Sequence, residues 1–201
     1  MRAPTKLSWL AGIVLAAAIA ASLLLPLGRQ TTRGVDRITN ELCIVAPATP
    51  YDASSGLPRH APKSIPADAR CPVCGMYPAR FPRWAAQTVF KDGASHYFDS
   101  PIDLFAFLNR ADRYNKRYAL EDIAVSYVTD FETGQWVEAG NAFFVHGSTA
   151  LGPMRDADLP AFSARQSADA FARRRGGKVL PFTQVTPELV QSLNRNMHHR
   201  H

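Results

Sequence analysis

One apolar run divides this chain before any other feature does: no charged residue interrupts Leu7 to Leu27. At 1.5 Å per helical residue the run is long enough to cross a hydrocarbon layer of about 30 Å. Arg2 and Lys6 precede it, and Arg29, Arg33 and Arg37 follow it, so charge gives only a weak bias toward an N-terminus on the inner side. The run reads as an uncleaved transmembrane anchor over residues 1–28. A secretory signal peptide is the competing reading. Its apolar stretch normally spans about 7–15 residues and closes on a small-x-small cleavage site, whereas this run closes on Leu25-Pro26-Leu27-Gly28-Arg29. No cysteine stands at its end. Cys43 follows only after a mostly polar stretch, so a lipid anchor is not expected there.

The rest of the chain suffices for one domain. A net charge of +6 arises from 23 basic and 17 acidic residues scattered along the sequence. No basic stripe alternates with stacking aromatics, which argues against a nucleic-acid surface; an anionic membrane surface is the better match. Residues 29–68 hold Pro47, Pro50, Pro58, Pro62 and Pro66 and read as an extended linker. The folded domain is expected over 69–193, and a His-rich tail over 194–201, where His198, His199 and His201 read as solvated.

Within 69–193, Ala85–Phe90 reads as a strand, Lys91-Asp92-Gly93 as a hairpin turn and Ser95–Phe98 as the returning strand. Ser100-Pro101 supplies an N-cap and a first-turn proline for a helix to Asn109, with Ile102, Leu104, Phe105 and Leu108 on or near one face. Ile123–Tyr127 is a further strand. The order then recurs: strands at Trp136-Val137 and Ala142–Val145, a helix over Ser167–Arg174 stopped by Gly176-Gly177, and a strand at Val179–Phe182. A short helix over Pro187–Asn196 closes the domain. The expected class is α+β, two ββαβ units in tandem, with antiparallel sheets covered by helices.

Three soft sulfurs fall within six residues at Cys71-Pro72-Val73-Cys74-Gly75-Met76. Thiolate with thioether selects a soft ion, and Cu(I) is the common one that accepts methionine. Other readings stay open. Zinc usually takes four ligands, and no second Cys-x-x-Cys is present. A thioredoxin-like pair opens a long helix, which Pro78 and Pro82 forbid here. A disulfide closing the loop is the plainest alternative in an oxidising compartment.

The Cys-Pro-Val-Cys-Gly-Met stretch resembles the NosL family, accessory proteins of nitrous oxide reductase. The resemblance extends to Phe90-Lys91-Asp92-Gly93, Tyr97-Phe98-Asp99-Ser100-Pro101, Val145-His146-Gly147-Ser148, Gly152-Pro153-Met154, Leu159-Pro160-Ala161-Phe162, Ala168–Phe171 and Gly176 to Phe182. It implies a tandem ββαβ fold similar to a domain of organomercurial lyase. It also implies Cu(I) as cargo, delivered outside the cytoplasmic membrane, in the periplasm, to nitrous oxide reductase beside that enzyme's membrane transporter and partner proteins. Family members are typically lipoproteins, and here the lipid-acceptor cysteine is absent from the expected place.

Further candidate ligands are Met154, in a Gly-Pro-Met turn, and His146, at a strand end before Gly-Ser. A methionine in a loop more often packs than ligates, and a lone histidine is usually a hydrogen-bonded surface or core residue; the family motif raises Met154. His96 ranks lower, and Asp99 reads as a residue at the start of a helix. The expected metal set is therefore Cys71, Cys74, Met76, Met154 and His146, in a chaperone that turns over no substrate. The alternative function is a thiol–disulfide oxidoreductase with Cys71 as nucleophile and Cys74 as resolving thiol. The anchor has a direct test. The mature protein is expected to keep residues 1–28 and to remain in the membrane fraction at high salt, which screens purely electrostatic adhesion. Mass spectrometry finding a soluble periplasmic form that begins after Leu27 would reduce the run to a signal peptide.

Overall fold

In the computed structural model of the protein, the described residues are 46–198. The apolar run, Cys43 and the tail after His198 lie outside them, and no helix among the described residues is long and apolar enough to cross a membrane. The fold is mixed α and β with two antiparallel sheets, as the patterning predicts.

The first sheet is built from β1 (Ala86–Phe90), β2 (Ser95–Phe98), β3 (Ile123–Thr129) and β4 (Trp136–Glu138), in the order β2-β1-β3-β4. Asp92-Gly93 closes the β1–β2 hairpin: Asp92 accepts from the Ala94 amide at 2.9 Å, and Gly93 takes a φ of 88°. Helix α1 (Pro101–Asn109) follows β2, with Ser100 Oγ accepting from the Asp103 amide at 3.3 Å. A single turn, α2 (Ala111–Tyr114), leads on toward β3.

The second sheet is β5 (Phe143–His146), β6 (Ala161–Phe162) and β7 (Lys178–Pro181), ordered β6-β5-β7, with helix α3 (Arg165–Arg175) between β6 and β7. Strand, strand, helix, strand with the first strand central is the arrangement of β1, β2, α1 and β3, so the two ββαβ units are present in the topology. One assignment changes. Trp136-Val137 does not begin the second unit but pairs with β3, Val128 opposite Val137. The second strand of that unit is Ala161–Phe162, too short for period-two patterning to reveal.

Helix α1 departs from expectation in its burial. Every residue from Pro101 to Phe107 is buried, because the helix lies between the two sheets. Phe107 meets Phe98 of β2 with ring centroids 5.3 Å apart, while Phe105 meets Phe144 of β5 at 5.1 Å and Phe182 at 5.1 Å. The same cluster takes in Leu180 and, from α4 (Pro187–His198), Val190 and Leu193. Helix α3 covers a second, smaller cluster of Val145, Phe162, Ala168 and Phe171.

Residues 46–68, expected to be linker, are extended but held against the first sheet. Thr49 exchanges backbone hydrogen bonds with Ser95, both at 2.8 Å. Tyr127 donates to the His60 carbonyl at 3.0 Å. Gln87, wholly buried, accepts from the Lys63 amide at 3.0 Å and donates to the Lys63 carbonyl at 3.1 Å. Every residue of β1 is buried in consequence. Gln87→Ala strands both Lys63 backbone groups and leaves a void; an expected loss of about 2 kcal/mol follows from the cost of unsatisfied buried polar groups. Urea denaturation measures it, and unchanged stability would mean that the segment is not clamped.

Candidate metal centre

The loop from Cys71 to Met76 is closed by its own backbone. The Cys71 amide donates to the Met76 carbonyl at 2.8 Å, and the Gly75 amide to the Cys71 carbonyl at 2.9 Å. Gly75 has a φ of 77°, left-handed space that a residue with a Cβ enters at a cost. Pro78 then opens a single 3-10 turn, Pro78–Arg80, so no long helix follows the cysteine pair, as the prolines predict.

Two acidic side chains meet the loop from below. Asp99 directly follows β2, and Asp103 stands in the first turn of α1. The Cys71 thiol donates to Asp103 Oδ2 at 3.3 Å and the Cys74 thiol to Asp99 Oδ1 at 3.0 Å. Ligand atoms of Cys71, Cys74, Asp99 and Asp103 all lie within 4.8 Å of one another. Cys71 is 1% exposed, whereas Cys74 is half-buried, so Cys74 forms the open side. Both are free thiols.

The electrostatics favour protons. Burial pushes the Cys71 thiol well up, with the Cys74 hydrogen bond and the Asp103 charge adding to it. For Cys74 the hydrogen bond from Cys71 lowers the pKa, but burial and the charges of Asp103 and Asp99 outweigh it and the net direction is up. Burial, reinforced by Asp99, raises Asp103 to about 7. Asp158, fully buried, is raised by burial to about 8, although it accepts from the Leu159 amide at 2.7 Å and the Ile102 amide at 3.4 Å. A redox-active cysteine needs a depressed pKa and an electropositive setting; this pair has the reverse. Two thiols presenting S–H to carboxylates suit an exchange in which a soft cation replaces the protons.

The other expected ligands are placed differently. Met76, half-buried, belongs to the loop, and its carbonyl closes it. Met154 is 53% exposed at the tip of a turn closed by the Arg155 amide to the Gly152 carbonyl at 2.9 Å. That turn abuts the start of α1, because Asp158, bonded to the Ile102 amide, lies so close to Gly152 that a Cβ there would meet its Cγ at 2.8 Å. His146 ends β5 opposite Lys178 and is not a member of the four-residue cluster. His96 is buried between Phe90 and Phe107, without a hydrogen-bond partner, and burial holds its pKa down to about 4. Asp99 is thus more than a residue at a helix start. Asp103 was missed; its signal was the four-residue spacing from Asp99 across the Ser-Pro cap, which sets both on one side of the helix entrance.

The NosL family model matches residues 62–190. The copper-binding lipoprotein NosL of Stutzerimonas stutzeri is 30% identical over 129 residues, covering 64% of this chain and 67% of that protein. Its Achromobacter cycloclastes counterpart is also 30% identical over 129 residues, covering 58% and 63%. The crystal structure of the copper chaperone NosL from Shewanella denitrificans superposes with a TM-score of 0.56 at 27% identity, covering 65% of this chain and 99% of that one.

The raised thiols predict sluggish chemistry. Iodoacetamide should label Cys74 before Cys71, both slowly at neutral pH, with rates still climbing above about pH 9. Asp103→Asn removes one negative charge, lowers both thiols and should speed labelling at pH 8 severalfold. Peptide mass mapping reads the rates; labelling as fast as a free thiol at pH 7 would contradict this electrostatic picture.

Proposed function

The chain belongs to the NosL family, and from that premise we propose that it is a metallochaperone whose cargo is Cu(I), bound at the Cys71–Cys74 loop and handed to a copper enzyme outside the cytoplasm. The observation that carries the reading is the pair itself: free thiols joined in one backbone-closed loop, one sealed and one at the surface. Thiolates rank Cu(I) above harder cations. The loop's closure holds both sulfurs near one point, which limits reorganisation on loading.

The thioethers of Met76 and Met154 complete the proposed set, Met76 from within the loop and Met154 from the turn that abuts α1. His146 is left outside it. Release proceeds by ligand exchange from the Cys74 side: an incoming thiolate, thioether or imidazole takes one position while Cys71 still holds the ion. Asp99 and Asp103 accept the thiol hydrogen bonds. The recipient that the family resemblance suggests is nitrous oxide reductase during assembly of its copper centres. The Leu7–Leu27 run would keep the domain at the periplasmic face of the membrane, where tethering raises its concentration near a membrane-bound copper source. The oxidoreductase alternative finds no support in thiols whose pKa values are raised.

Anaerobic titration of the reduced full chain with Cu(I), against a competing chelator, should give one ion per chain. Cys71→Ser with Cys74→Ser should abolish binding, and Met76→Leu or Met154→Leu should weaken it by about tenfold through loss of one soft ligand. Affinity should rise with pH by about a factor of ten per unit for each thiol proton displaced. Binding that survives the double serine variant, or displacement of Cu(I) by equimolar Zn(II), would refute the assignment.

A further inference from the structure

The loop that carries the two thiols is flanked by exposed arginines, with one exposed carboxylate, Asp68, two residues before Arg70. From Ala69 to Trp84 the chain carries Arg70, Arg80 and Arg83 and no acidic residue, Asp68 lying just outside that stretch. All three arginines are exposed. Two of them are held in place. The guanidinium carbon of Arg70 lies 4.2 Å from the centroid of the Tyr77 ring, and that of Arg80 lies 4.7 Å from the same ring. Arg70 also donates to the Gly75 carbonyl at 3.1 Å and to the Tyr77 hydroxyl. Gly75 belongs to the cysteine loop, so this cation is fastened to the loop itself.

The ion pairs among the described residues join Arg110 to Asp112, Arg165 to Asp169 and Arg174 to Glu132; neither Arg70 nor Arg80 is in one. The acids nearest the thiols, Asp99 and Asp103, are buried and turned to the sulfurs. Stacking alone would stiffen the loop, but it leaves two guanidinium groups without anionic partners at its rim.

We propose that Arg70 and Arg80, stacked on Tyr77, form a docking rim for a partner protein whose metal-receiving segment is flanked by carboxylates. The proposal rests on the Cu(I)-transfer reading above. Ligand exchange requires the recipient's donor atoms to come within bonding distance of an ion held by Cys74, and Arg70, fastened to the Gly75 carbonyl next to Cys74, and Arg80, stacked on the same Tyr77 ring, belong to that loop's surroundings. Guanidinium is weakly hydrated and offers a planar fork that matches a carboxylate in two-point contact. Fixing it beforehand on Tyr77 removes part of the ordering cost of docking. Opposite charge speeds encounter and orients it, while a cationic partner is repelled.

The test uses the Cu(I)-loaded full chain in non-ionic detergent, mixed in a stopped-flow instrument with synthetic Cys-x-x-Cys peptides flanked by four Glu or by four Lys. Transfer to the Glu-flanked peptide should be about tenfold faster at low ionic strength, within the range that steering provides. The ratio should shrink toward one as added salt shortens the screening length. R70E/R80E should invert the ratio, and R70K/R80K should preserve its direction. R80E alone, which leaves the Arg70–Gly75 bond in place, should lower the ratio and guards against a loop that fails to form in the double variant. Comparing ratios between proteins cancels differences in the peptides' own copper affinity. An equal ratio in the wild type, R80E and R70E/R80E, with Cu(I) still bound, overturns the docking rim alone. Failure of the wild-type chain to bind Cu(I) overturns the copper reading and the rim with it.

Discussion

The burial of helix α1 between two sheets is the constraint on which the rest of this structure depends. A helix covered on one side would need a polar face. This one is closed in by Phe98 of the first sheet and Phe144 of the second, through its own Phe107 and Phe105, and is apolar nearly all round. Its N-terminus is therefore fixed to both units at once. Asp99, Ser100 and Asp103 stand at that N-terminus, and the cysteine loop rests on them. The loop thus inherits its position from the core.

Burying two carboxylates beneath two thiols is costly unless protons or a cation relieve the charge. Each carboxylate accepts a thiol hydrogen bond, and burial, reinforced by Asp99, raises Asp103 to about 7. Asp158, which accepts from the Ile102 amide, is raised as well, to about 8, so at a helix N-terminus, which ordinarily favours negative charge, burial pushes two carboxyls toward neutrality. Any soft cation bound at the two sulfurs would have to displace the thiol protons. The same arrangement raises both thiols, the reverse of what a redox-active Cys-x-x-Cys pair needs.

Much of the fold was legible because it rested on local rules. Asp92-Gly93 needed a hairpin, Ser100-Pro101 needed a helix start, and Gly176-Gly177 needed a helix stop; each is found at its place. What escaped were features set by distant partners. Ala161–Phe162 is a strand only because Phe143 and Phe144 lie beside it. The proline-bearing stretch before the cysteines looked unattached, yet Lys63 is clamped by Gln87, a residue that no pattern marks as its partner.

By itself the sequence determined the chemistry on offer: three sulfurs in six residues, a tight glycine turn, and prolines that forbid a redox helix, because these depend only on residue type and neighbours along the chain. Tertiary structure alone decided what surrounds that chemistry. Asp103 comes to Cys71 from 32 positions away, Asp158 reaches the Ile102 amide at the start of α1 from beyond the second sheet's first strand, and His146 is kept out of the cluster. Such proximities follow from how two sheets enclose one helix, a global balance of burial that no short stretch of sequence encodes.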